Sequence, residues 1–143
     1  AIVAQRSTQP LLSTRQLAEL IVAAVPVHEK HKHPATRSFQ AIRIYINHEL
    51  DDVTAVLAQV PDMLAPRGRM AVISFHSLED RIVKRFIRDE YRGEQPPEEF
   101  PLAGMDYHPR LKPVGKAIRA SDAEIAANPR ARSAVLRIAE RLQ

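Results

Sequence analysis

Met70-Ala71-Val72-Ile73-Ser74-Phe75-His76-Ser77-Leu78-Glu79-Asp80 is the stretch that decides the fold. Pro66 and Gly68 make a turn just before it. Met70 to Ser74 is a short, nearly continuous apolar run. Apolar toward both faces, it reads as a buried strand of a parallel sheet. Ser77 through Asp80 has the form of a capping box, and Ile82, Val83, Phe86 and Ile87 follow at helical spacing. Helix, strand, helix with short joints is one step of an α/β sandwich, so the fold class is α/β.

Upstream, the chain opens on Ala1, and AIVAQR reads as the end of a helix already under way, as if the sequence were cut. Ser13 and Gln16 form a capping box, and Leu17, Leu20, Ile21 and Ala24 continue at helical spacing until Pro26 stops them. A polar linker over 27–34 is the expected subdomain boundary, dividing a helical part, 1–33, from a sheet-bearing part, 34–143. From Ala35 to Leu64 apolar residues recur three or four apart. That run exceeds a usual helix, so a break is expected near Glu49-Leu50-Asp51-Asp52, with Pro61 bending the second half. Downstream, the prolines between 93 and 113 read as an irregular surface excursion. Val114 to Ile118 reads as a strand, Ser121 caps a short helix ending at Asn128-Pro129, and Ala134 to Ala139 reads as a final strand.

The 143 residues suffice for one domain. No apolar run approaches the roughly 20 residues of a membrane span, so no membrane partner is expected. With no cysteine there is neither a disulfide framework nor a thiolate metal site or nucleophile. That composition fits a reducing compartment, and a cytoplasmic location is the expectation. Seven aromatics, none of them Trp, argue against an RNA-binding sheet built on stacked rings. Residues 1–66 balance their charges, so the whole net charge of +4 falls on 67–143. From Arg110 onward eight basic residues face three acidic ones, an excess that attracts phosphate backbones or simply forms a solvated face.

Ser74, Phe75, His76 and Ser77 lie where a strand ends and a helix begins. In open α/β sheets that is where ligands bind, and the helix start adds N–H donors. The plainer alternative is that Ser77 only caps and His76 only packs. A serine hydrolase would need a glycine-flanked elbow, and no glycine occurs between Gly68 and Gly93. His28, His31 and His33 have spacing that would suit zinc, but they alternate with Glu29, Lys30 and Lys32, so a solvated linker is the reading and no metal is expected. Asn128-Pro129-Arg130-Ala131-Arg132-Ser133 places two forked guanidinium groups in a loop before a strand. The four glycines are widely scattered, so no loop of this sequence is built to cradle a nucleotide-type cofactor.

Five segments carry a resemblance: His33 to Arg43; Asn47 with Glu49-Leu50; Val72 to Lys84; Asn128 to Ser133; and Leu136 to Glu140. Together, in this order, they resemble the RsmH (MraW) family of bacterial 16S ribosomal RNA methyltransferases. The resemblance covers essentially the whole sequence and is weakest over 93–113. It implies the C-terminal part of a Rossmann-like class I methyltransferase domain, plus the end of a helical insertion subdomain. It implies S-adenosylmethionine as methyl donor, held by an N-terminal half that precedes residue 1, with no cofactor-binding residue in this chain. It implies methylation of the exocyclic amine of a cytidine, with 16S rRNA in the small ribosomal subunit, the N-terminal half and a possible second copy as partners. One local departure is Pro66-Arg67-Gly68, where the family has Pro-Gly-Gly.

On that resemblance Ser74, His76 and Ser77 are expected to wall the target-base pocket. Phe75, Asn128, Arg130 and Arg132 are expected to contact RNA. A cytosine amine is a weak nucleophile, so an enzyme gains by orienting it and accepting its hydrogen bond. The fragment alone is expected to be inactive. The alternative is a standalone, non-enzymatic RNA-binding module. The strand after Gly68 favours the enzyme, because half a sheet alone exposes an edge.

Overall fold

The computed structural model describes residues 1–26, 33–93 and 108–143, in two compact units, Ala1–Glu49 and Leu50–Gln143. Among the described residues no helix is long and apolar enough to cross a membrane.

The first unit is helical. Helix α1 is Ile2–Thr8, and α2 is Thr14–Ala24, opened by the expected box in which Ser13 accepts from the Gln16 N–H and Gln16 returns the bond. Helix α3, Thr36–Asn47, ends at His48, which has φ 53° in the left-handed region. That is the expected interruption of the long helical run, a residue earlier than the sequence placed it. The Arg43 guanidinium and the Asn47 amide both reach Glu49, at 2.8 and 3.3 Å, clasping the chain across the break. These are residues that carried the family resemblance, and in this unit they fix a turn.

The second unit contains α4, Glu49–Met63, less its first residue, then β1, Arg69–Ser74, and α5, Ser77–Arg92. Next come β2, Leu111–Pro113, β3, Ile118–Arg119, and α6, Asp122–Ala127. A 3-10 turn, Pro129–Ser133, leads into β4, Val135–Arg141. Strand β4 is the spine of the sheet. It pairs with β1 on one side, and with β2 and β3 along the other. Helix α5 buries Val83 and Ile87 in a core with Leu57, Met70, Leu111 and Ala139, and Ile82 and Phe86 pack at its margin. The apolar spacing of the α5 sequence accounts for this face directly.

Several expectations need correction. Among the described residues every pairing is antiparallel, so there β1 is no strand of a parallel sheet. Nor is it buried on both faces: Met70 and Ser74 point inward, whereas Ile73 is 57% exposed. The capping box of α5 sits one residue earlier, with His76 as cap and Glu79 as its partner. Strand structure falls at Leu111–Pro113 and Ile118–Arg119, and the intervening Val114–Ala117 makes the turn, because Gly115 there takes φ 70°. The final strand runs two residues beyond Ala139. His28, His31 and most of the proline-rich stretch lie outside the described residues.

The turn into β1 is the tightest joint of this unit. The Gly68 N–H donates to the Ala65 carbonyl at 2.7 Å, and a Cβ at Gly68 would lie 2.7 Å from that same oxygen. Next to it Arg67, where the family resemblance calls for glycine, has φ 65°. A side chain there carries a conformational cost of about 1–2 kcal/mol. Neighbouring substitutions should therefore act with opposite signs. Gly68→Ala is expected to destabilise by about 1–3 kcal/mol through the forced contact. Arg67→Gly is expected to stabilise by about 0.5–1 kcal/mol, the relieved strain less the entropy glycine adds to the unfolded chain. Urea denaturation of the two variants beside the parent protein measures both.

Candidate functional site

The register of β1 on β4 builds the site. Ser74 pairs with Val135, so the carboxyl end of one strand lies beside the amino end of the other. Arg119 of β3 pairs with the same Val135. One end of the sheet thus collects Ser74–Ser77, Arg119 and the turn Asn128–Ser133. The two segments singled out in the sequence, 50 residues and more apart, both border that end of the sheet.

Each candidate has a definite place. Ser74 is buried, Phe75 is 56% exposed, and Ser77 is exposed on the first turn of α5. His76 Nδ1 accepts the Glu79 N–H at 3.4 Å, while a Glu79 carboxylate oxygen accepts from the Phe75 and His76 N–H groups at 2.9 and 3.3 Å. These bonds satisfy donors that a helix start leaves orphaned. An Nδ1 that accepts a hydrogen bond leaves the proton of neutral imidazole on Nε2. Nε2 is buried and lies 3.3 Å from Glu79 Oε1, but is not aligned with it for a hydrogen bond. In this arrangement His76 offers a donor at Nε2, and a proton acceptor at neither nitrogen.

Asn128 is also committed locally: its Oδ1 accepts the Arg130 N–H at 3.2 Å and starts the 3-10 turn, with Pro129 in the first position. The buried Ala131 anchors that turn, leaving Arg130 and Arg132 exposed on either side of it. Neither has a carboxylate partner among the described residues. Asn128 therefore fixes the backbone of the turn that carries the two guanidinium groups, and they supply the charge.

The MraW methylase family model matches residues 1–142. The chain belongs to the MraW methylase family. Among its curated relatives are the proteins named ribosomal RNA small subunit methyltransferase H from Thioalkalivibrio sulfidiphilus, Thiobacillus denitrificans and Legionella pneumophila. They are 61%, 61% and 55% identical to it over 142, 143 and 142 residues, which is 99% of this chain in each case. The same matches cover 45%, 46% and 46% of the relatives, so the chain spans about half their length.

In this member of the MraW methylase family the sequence reading missed the interaction that ties the site together. Arg137, on β4, holds Asp80, in the first turn of α5, through two hydrogen bonds of 2.7 and 3.0 Å. Both side chains are about one-fifth exposed. Forked pairing of this kind is geometrically demanding and stronger than a single contact. An acidic residue four past His76 was visible in the sequence, but only β-pairing supplies its partner. The Arg137 hydrogen bonds hold the Asp80 carboxyl below the usual carboxylate range; partial burial opposes this, and the charges of Arg137, Arg119 and Lys84 reinforce it. A carboxyl whose value is lowered by folding stabilises the fold above its unfolded value, near 4, and that contribution fades as pH falls through the lower, folded value. Asp80→Asn is expected to flatten this part of the acid limb and to lower stability at neutral pH. Urea midpoints between pH 7 and pH 3 for both proteins check it.

Proposed function

We propose that this chain is the C-terminal portion of an enzyme that methylates the exocyclic amine of a cytidine in small-subunit ribosomal RNA, with S-adenosylmethionine as donor. The observation that carries the reading is the convergence of the His76 cap, Ser74 and the Arg130–Arg132 turn at one end of the sheet, in a chain of this family. The relatives' names supply the RNA substrate and the methyl transfer.

The residues here do not fit a cradle for the donor. Gly68 is consumed by the turn into β1 and Gly115 by the β2–β3 turn. In this reading the donor belongs to the N-terminal half, and so does what covers β1. That strand is an edge of the described sheet, with Ile73 and Phe75 exposed. An apolar edge strand favours pairing with further strands. The parallel neighbours of a Rossmann-like domain would complete it, with the helical unit as the end of an inserted subdomain.

The chain's own part is on the acceptor side. A cytidine to be modified must leave its stack to enter a pocket. Arg130 and Arg132 pair with its flanking phosphates. Phe75 offers a ring face to the base. His76 Nε2, buried beside Glu79 in the described structure, is in this reading uncovered as the acceptor enters and then donates to a carbonyl or phosphate oxygen, which orients the acceptor without taking its proton.

His76 then has two roles, and substitutions separate them. His76→Ala removes the cap and should cost about 1 kcal/mol. His76→Ser keeps a capping oxygen and should melt close to the parent protein. If Nε2 orients the acceptor, both variants of the full-length protein lose single-turnover methyl transfer to small-subunit RNA, the stable serine variant included. Digestion of the product to nucleosides should place the methyl group on the cytidine amine. A serine variant with full activity would leave His76 as a helix cap alone. Methylation at another atom would overturn the functional reading.

A further inference from the structure

A second cationic feature lies away from the residues assigned above. Helix α5 and the β2–β3 turn enclose a groove of about 270 Å³, lined by Lys84, Arg88, Tyr91, Arg92, Lys116 and Arg137 together with apolar and backbone surface, and among the described residues no carboxylate lines it. Arg137 is neutralised by Asp80, and Arg88 lies 2.7 Å from Asp89. Lys84, Arg92 and Lys116 are exposed and have no ion-pair partner among the described residues. Lys84, Arg88 and Arg92 are four residues apart, so they form one stripe with steps of about 6 Å along α5. Tyr91, 46% exposed, sets an aromatic ring beside them.

The groove adjoins the site. Arg137 lines it and also holds Asp80 in the first turn of α5, one turn before Lys84. Lys116 leads along β3 to Arg119, at the site end of the sheet. Its volume is below the usual range of small-molecule pockets, about 300–1,000 Å³. A shallow cationic track with one stacking ring is how proteins hold single-stranded nucleic acid.

We propose that the α5/β2–β3 groove binds the single-stranded RNA flanking the target nucleotide, with Lys84, Arg92 and Lys116 on phosphates along the strand and a base stacked on Tyr91. This rests on the reading of the chain as part of an RNA methyltransferase. It adds an RNA-docking track beyond the residues at the sheet end.

The test uses the full-length protein, a short single-stranded RNA containing the modified sequence, and fluorescence anisotropy over a range of salt. Replacing Lys84, Arg92 and Lys116 together by alanine should weaken binding about tenfold or more and reduce the slope of log affinity against log salt by about 2. Tyr91→Ala should weaken binding at least about fivefold with the slope unchanged, and Tyr91→Phe should restore it. All four positions are exposed, so melting temperatures should stay near the parent value. Unchanged RNA affinity and slope in the triple variant would overturn the proposal. So would equal losses of the triple variant for RNA and for polyglutamate with no effect at Tyr91, which would make the groove a site for acidic protein. If the parent protein methylates small-subunit RNA while the variants bind it normally, the groove alone fails. If the parent protein neither binds nor methylates that RNA, the functional reading fails first.

Discussion

The antiparallel ladder between β1 and β4 is the constraint on which the second unit depends. Six residue pairs, from Arg69 opposite Glu140 to Ser74 opposite Val135, fix its register. A slip of one residue would put Met70 and Ala139 on opposite faces and turn one of them out of the core, because strand side chains alternate faces. The same slip would shift the Asn128–Ser133 turn relative to the end of β1. The ladder is held toward both ends. At one end the Arg67 N–H donates to the Arg141 carbonyl and the Arg141 N–H to the Gly68 carbonyl, and the Arg141 guanidinium also donates to the Leu64 carbonyl just past α4. Nearby, Glu140 sits between Lys112 and Arg69, at 3.0 and 2.8 Å. Two pairs in from the other end, opposite Val72, Arg137 binds Asp80 and couples the strand to α5.

Local chemistry was the part of this fold legible in the sequence. The Ser13 and Ser121 caps, the turn at Gly68 and the inward face of α5 follow from short-range rules, and the structure has each of them. The errors share a different cause. Hydropathy reports whether a strand is covered, and says nothing of the direction of its neighbour. Met70 to Ser74 therefore read as a parallel strand although its partner in this chain, β4, runs the opposite way. Its outward apolar residues, Ala71 and Ile73, suggested burial on both faces, but nothing described here covers them.

The site shows the same division. Ser74–Ser77 and Asn128–Ser133 were recognisable as segments, because each sits at a joint between elements. That they border the same end of the sheet was not recognisable, since only the register of β4 brings them there. The clamp between Asp80 and Arg137 lay equally out of reach: one residue read as part of a capping box and the other as surface charge. Moving that box back by one residue changed the chemistry of the site. With His76 as the cap, its Nδ1 is engaged, and an imidazole with the freedom of either tautomer becomes one with a defined donor.

Polar residues at a functional end of a sheet carry structural and chemical duties at once. His76 caps α5, Asn128 caps the 3-10 turn, and Asp80 anchors the first turn of α5 through Arg137. Truncating any of them to alanine removes a hydrogen-bond acceptor from the fold as well as a group from the site, and the loss in folded population would mimic a loss of chemistry. The groove along α5 differs in kind. Lys84, Arg92, Lys116 and Tyr91 are exposed, and the three cations have no ion-pair partner among the described residues. Exposed positions of this kind usually change stability by no more than about 0.5 kcal/mol when substituted. Solvated cations that make no close ion pair cost little to maintain, and they gain most from a polyanion laid across them. That asymmetry separates the two regions: at the sheet end stability and function are entangled, whereas along α5 an effect on RNA can be read directly as an effect on binding.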